Sequence, residues 1–290
     1  MKLTRGGAVL LMVAVTLMWS IAGVVTRQLE HARSFEITFW RSFFTVLSLL
    51  VILPLFHGRR VFAKIGDAGA SLWLSGLCWS VMFTAFMVAL TLTSVANVLV
   101  TMSIGPFLTA LLARVVIGYR IPTRTWIAIL VAGAGIAYMY AAQVSSGQLA
   151  GTLVALCVPV AGAINWTIVQ RSQARGRSID LVPAVLLGAL ISSLAVLPLA
   201  LPFRASAHDI GLLALLGLVQ LAIPCSIAVA CARVLQAPEI SLLASLEVIF
   251  GILLAWAGAN EVPSQTVVAG GALVLGALVV NEYLGWRSQA

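Results

Sequence analysis

The chain has 290 residues, of which 61% are hydrophobic and 9% charged, and its mean hydropathy is +1.09. Globular soluble chains carry roughly a quarter of their residues as charges, so this composition describes an all-α polytopic membrane protein and excludes a soluble enzyme or binding module. The formal charge of +8 does not point to nucleic acid, because an excess of Lys and Arg over so few acids marks the cytoplasmic loops of a membrane chain.

A helix needs about 20 apolar residues to cross the hydrocarbon core. Ten stretches meet that need, at about 7–26, 37–56, 69–90, 95–117, 125–142, 149–169, 180–202, 210–232, 239–258 and 265–284. Lys2 and Arg5 precede the first stretch as in a signal peptide. Its length, and the similar segments after it, make it a first transmembrane helix instead. The connections are short and leave no room for a soluble domain. With the N-terminus in the cytoplasm, thirteen Lys and Arg fall on the inner side and three (Arg27, Arg33 and Arg204) on the outer side, which predicts both termini inside.

Ten spans divide into halves of five, 1–145 and 146–290. An odd number per half makes the second enter the membrane from the opposite side, the arrangement of inverted repeats with a site at their interface. Two parallels support the division. Met18-Trp19-Ser20 in the first span matches Asn165-Trp166-Thr167 in the sixth, and 103–122 (SIGPFLTALLARVVIGYRIP) matches 241–263 (SLLASLEVIFGILLAWAGANEVP).

A charge at membrane depth costs about 2.5–3.5 kcal/mol on insertion scales and marks a cavity or pathway. Glu247 is such a charge, about 12 Å into the ninth span at 1.5 Å per residue. It is either a cavity carboxylate, meeting a substrate amine or carrying a proton, or a structural acid joining two helices. Arg41 stands about 6 Å from the outer end of the second span by the same rise, among Phe35, Phe39, Trp40, Phe43 and Phe44. In such an aromatic belt an arginine snorkels or caps its helix; the other reading is a pathway charge. Its depth differs too much from that of Glu247 to predict a direct ion pair.

Trp19, Trp79 and Trp166 offer an apolar face and one N–H donor, suited to a substrate side chain or to helix packing. Asn97, Thr101 and Ser103 in the fourth span, with Gln220, Ser226 and Ser245 in the eighth and ninth, can bind an ammonium or carboxylate, or bond across helices. Pro106 and Pro224 each remove a hydrogen bond, to the carbonyls of Met102 and Gln220, and interrupt the fourth and eighth spans. With Gly105 beside Pro106, that bend is either a gate or a static kink. The pairs Gly133/Gly135 and Gly270/Gly271 suit close helix packing. Cys78, Cys157, Cys225 and Cys231 lack metal spacing and read as small core residues. His31, His57 and His208 lie in connections or at helix ends. No metal or other cofactor is expected.

The pattern resembles the drug/metabolite transporter superfamily in its ten-helix EamA-type branch. The resemblance rests on Trp19, Phe39-Trp40-Arg41, Gly105-Pro106, Leu246-Glu247-Val248 and Asn260-Glu261, in order along the whole chain. Val248 stands where the family has proline, and Gly118-Tyr119-Arg120 replaces its acidic turn. Within that branch the chain resembles amino acid exporters of the YddG type, whose substrates include aromatic and other neutral amino acids. What the resemblance implies is export of amino acids or related metabolites across a bacterial inner membrane, by a monomer or homodimer. The alternatives are import or exchange of another organic solute such as a nucleotide sugar, a channel or scaffold, and an intramembrane enzyme. Glu247 has no evident acid–base partner for catalysis, and the chain lacks a Walker lysine motif for ATP drive.

Overall fold

The computed structural model describes residues 3–26, 28–58, 61–62, 69–92, 95–102, 104–118, 120–140, 149–174, 181–259 and 265–287. The described residues form helices and their connections, without a strand. In chain order the first helices are α1 (Arg5–Thr26), α2 (Ser34–His57), α3 (Gly69–Leu92), α4 (Val95–Met102), α5 (Gly105–Leu112) and α6 (Thr123–Tyr140). Then follow α7 (Leu149–Ala174), α8 (Pro183–Ala200), α9 (Ala207–Leu215), α10 (Ile223–Cys231), α11 (Ala237–Ala244), α12 (Leu246–Ala259) and α13 (Gln265–Arg287). Wide π turns extend α5 over Ala113–Ile117 and join α9 to α10 over Leu216–Ala222.

Six of the described segments are long and apolar enough to cross a membrane: Arg5–Thr26, Ser34–Phe56, Gly69–Leu92, Ala150–Ser172, Pro183–Ala200 and Ala207–Cys231. Shorter apolar helices cover Gly105–Ile117 and Val268–Asn281. Helices suit such an environment because each satisfies its own backbone where no water can. Large apolar residues such as Leu10, Val51, Leu55, Phe56, Leu194 and Val279 are exposed on the outside, as a lipid-facing surface requires. Cys157 joins them there rather than the core, whereas the other three cysteines are buried.

Two expected spans are broken. The fourth divides at Ile104, between α4 and α5, where Pro106 cannot bond back to Met102. The ninth divides at Ser245 without a proline. There the Ser245 and Val248 N–H groups donate three residues back, to Leu242 and Ser245 at 3.1 and 3.2 Å, so the helix tightens and slips by one carbonyl. The eighth span is not interrupted, contrary to the expectation at Pro224. Ala207–Cys231 runs continuously because the π segment just before the proline takes up the missing bond.

Packing pairs elements from the two ends of the chain. α3 lies against α7 and α8, and α2 against α8 and the π segment Leu216–Ala222; α1 lies against α10 and α12, and α5 against α7 and α11. α6 packs along α13, with Gly135 so close that a Cβ there would fall 2.7 Å from the Gly270 carbonyl oxygen. Two crossings match in detail. A Cβ on Gly217 would meet Phe44 Cβ, the Arg41 oxygen and the Thr45 nitrogen at 2.6, 2.8 and 2.9 Å. A Cβ on Gly76 would meet Leu187 Cβ, the Ala184 oxygen and the Gly188 nitrogen at 2.9, 3.4 and 3.7 Å. Each glycine sits on the same three atoms of a helix: the carbonyl of one residue, and the Cβ and amide three and four residues on.

Buried carboxylates tie the connections at one end of the bundle. Asp209 accepts the N–H groups of Glu30, His31, Ala32 and Ser206 at 2.9–3.2 Å, completing a capping box with Ser206. Glu36 accepts those of Arg204 and Ala205 at 2.8 Å. At the other end Arg5 bonds Glu239 at 3.0 Å, and Gln170 bonds both the Gln236 side chain and the Ala237 N–H.

Candidate functional site

The polar residues of α2 explain where the site lies. Thr38, Arg41, Ser42 and Thr45 follow one another three or four residues apart, so they form one stripe of the helix. All four are buried, Arg41 with 1% of its surface exposed. Phe39, Trp40 and Phe43 point elsewhere, clustering with Phe203 at ring distances of 5.0–5.8 Å. Arg41 therefore does not snorkel in an aromatic belt. An apolar surroundings favours the opposite choice, since the polar stripe of a helix turns to other helices and its rings turn out.

Arg41 reaches a cavity of about 150 Å³ lined by α1, α2, α3, α4, α5, α7, the segment from Leu216 to Cys231, α11 and α12. Its Nη2 donates to the Phe83 carbonyl at 2.7 Å and its Nη1 to Gln220 Oε1 at 3.4 Å, while Nε has no partner. Gly217 allows this by letting the backbones cross at Arg41 itself, and the wide π turn carries Gln220 to the cavity wall. Glu247 lines the same cavity two residues past the Ser245 break. No salt bridge joins it to Arg41 among the described residues, although both line the one cavity. The Glu247 carbonyl is held from α1: Ser20 Oγ lies 2.9 Å from it and 2.7 Å from the Thr16 carbonyl, with one proton to serve both.

Trp19, Trp79, Trp166, Ser245, Gly105 and Pro106 also line the cavity. The Trp79 and Trp19 indole nitrogens are buried without a hydrogen-bond partner. Trp79 and Trp166 meet edge to face at 5.7 Å. Beyond them, toward the Arg5–Glu239 end, Ser75 bonds Asn165 at 2.6 Å. Thr101, Pro224 and Ser226 do not line the cavity: Thr101 is half-buried, Pro224 is buried one residue from Cys225, and Ser226 bonds the Ala222 carbonyl. The side chain of Asn97, and Ser103 altogether, lie outside the described residues.

Sequence reasoning missed Met82, Phe86, Leu99, Met102, Pro159 and Gly162, all of which line the cavity. Apolar residues in an apolar helix carry no contrast to find them by. Pro159, Gly162 and Trp166 do recur at helical spacing, which is the one available signal.

No curated protein matches the sequence. A solved crystal structure of 18% identity shares the fold, with a TM-score of 0.75 over 97% of this chain and 99% of that one. Residues 6–141, which include Trp19, Arg41, Trp79 and the break at Ile104, match the EamA-like transporter family, and this match points to a multi-pass membrane transporter of small solutes.

Proposed function

We propose that this protein is a secondary transporter that exports neutral or aromatic amino acids, or related small metabolites, across a bacterial inner membrane. The resemblance to exporters of the YddG type agrees with this reading. One observation carries it: a guanidinium and a carboxylate share one aromatic cavity without pairing with each other. Opposite charges held apart in an apolar setting are costly to leave unpaired. A zwitterion offers each of them a partner, its carboxylate to Arg41 and its ammonium to Glu247. A cavity of about 150 Å³ is also of the size that accepts a benzene-sized guest. A nucleotide sugar would call for several cations around its diphosphate, and among the described lining residues Arg41 is the single cation.

The proposed architecture has ten spans in two inverted five-helix repeats, 1–145 and 146–290, with both termini cytoplasmic. Support comes from the matched crossings at Gly76 and Gly217 and from the paired breaks at Ile104 and Ser245. Broken helices at the repeat interface suit alternating access. In this reading Trp19, Trp79, Trp166, Gln220, Ser245 and Glu247 contact substrate, and Gly105 and Pro106 permit the motion. The protein works as a monomer or homodimer.

The test is uptake of labelled amino acids into proteoliposomes, with and without an imposed pH gradient, for wild type and Glu247→Gln. Flux that follows the gradient and is lost in the variant makes Glu247 the proton carrier. Flux indifferent to the gradient in both proteins makes the carrier facilitative. Absence of amino acid flux in folded wild-type protein overturns the substrate class.

A further inference from the structure

The two walls of the cavity differ in chemistry although they are built alike. Among the described residues, the charged and amide side chains on the lining, namely Arg41, Gln220 and Glu247, come from α2, the Leu216–Ala222 segment and α12. Among the described side chains, those of the facing helices α3, α4, α5 and α7 on the lining include no such group, only apolar side chains, glycine and the indoles of Trp79 and Trp166.

The matched crossings turn this contrast into a comparison of equivalent positions. Gly217 rests on the Arg41 carbonyl, and Gly76 on the Ala184 carbonyl. Three residues after the first glycine is Gln220, and three after the second is Trp79. Two residues after the Ser245 break is Glu247, and two after the Ile104 break is Pro106. One backbone frame thus carries an amide and a carboxylate on one wall, and an indole and a pyrrolidine ring at the matching positions on the other; the Arg41 position is matched by Ala184, which stands outside the lining.

We propose that the walls divide the substrate between them: the Arg41–Gln220–Glu247 wall takes the amino and carboxylate groups, and the α3–α4–α7 wall takes the side chain, with Gly162 and Phe86 setting the size it admits. This inference rests on the amino acid reading above. A charged head group stays where hydrogen bonds and opposite charges replace its hydration, and an apolar side chain is left with the wall that has none. Gly162 has no side chain, and a Cβ there would stand 3.5 Å from the Met82 sulfur, in ordinary contact. Larger residues at 162 therefore fit the backbone and subtract from the cavity. Phe86 lines the same wall, and its truncation adds room.

The test is the ratio of initial phenylalanine to alanine uptake in proteoliposomes holding purified wild type, Gly162→Ala, Gly162→Val or Phe86→Ala. Gly162→Val lowers the ratio at least about 10-fold, the scale on which apolar pockets discriminate by small differences in bulk. Gly162→Ala lowers it less, and Phe86→Ala raises it. Gly162→Ala and Phe86→Ala decide the matter if the valine variant is not monodisperse. A ratio that stays at the wild-type value in these variants, while both amino acids are carried, overturns the division of the walls and leaves the amino acid reading standing. A wild-type protein that carries neither amino acid overturns that reading itself.

Discussion

Arg41 holds three jobs in one planar group: it bonds the Phe83 carbonyl and Gln220, and it keeps Nε unpartnered. Lysine has no fixed fork and cannot hold both fixed partners while offering a further donor in the same plane. Arg41→Lys is therefore expected to raise KM for amino acids at least about 10-fold, because a charge-assisted bond contributes about 1.5–3 kcal/mol; proteoliposome kinetics measures it. A KM within twofold of wild type would make Arg41 a structural residue. Asp209 is a different kind of buried charge. It serves four backbone N–H groups, and an amide brings a single acceptor oxygen and an N–H₂ that faces other donors. Asp209→Asn leaves buried donors unsatisfied, at about 1–3 kcal/mol, and lowers the thermal unfolding midpoint in detergent without altering substrate preference.

The elements meet where side chains are absent. A Cβ on Gly188 would come 2.3 Å from Trp79 Cβ and 2.9 Å from the Gly76 carbonyl oxygen, and the latter is backbone that cannot rotate away. Gly188→Ala must then push α3 off α8 and carry Trp79 with it. Overpacking of this kind costs about 1–3 kcal/mol, read as a lower unfolding midpoint, and it should impair transport even in detergent-stable protein because Trp79 lines the cavity. By contrast Gly133, where a Cβ would meet nothing within 4 Å, is expected to accept alanine with unchanged unfolding. Equal effects at 188 and 133 would sink the close-packing account. The breaks in the fourth and ninth spans belong to this scale too, since each leaves a helix end at the cavity instead of a continuous rod.

For the molecule as a whole, the proposed orientation makes a direct demand. In a variant lacking the four native cysteines, a cysteine at Arg204 should react with an impermeant maleimide on intact cells. One at Arg120 should react only after permeabilisation. The reverse pattern would invert the orientation. Between the cavity and the Arg5–Glu239 end lie the Trp79–Trp166 contact and the bonds of Gln170. A partly exposed ion pair such as Arg5–Glu239 is worth at most about 1 kcal/mol, so an opening of that end in the proposed cycle would lose little at this pair.

Class, helix positions and the weak point at Pro106 were legible in the chain, because hydrocarbon admits few solutions: an apolar run of sufficient length must be helical, and a proline must forfeit a bond. The observed helices begin and end close to the expected stretches for the same reason. Trp19, Glu247 and Gln220 were visible as polar or aromatic exceptions within apolar runs. The fate of Arg41 was not, since position along a helix does not say which way a side chain faces until its neighbours are in place; the stripe of Thr38, Arg41, Ser42 and Thr45 held that information only in combination. The break at Ser245 and the uninterrupted helix through Pro224 likewise depended on what packs beside them, Ser20 against the Glu247 carbonyl and the π segment before the proline. The apolar wall of the cavity was beyond reach of the sequence, because lipid and cavity select the same residue types and only tertiary contact separates one face from the other.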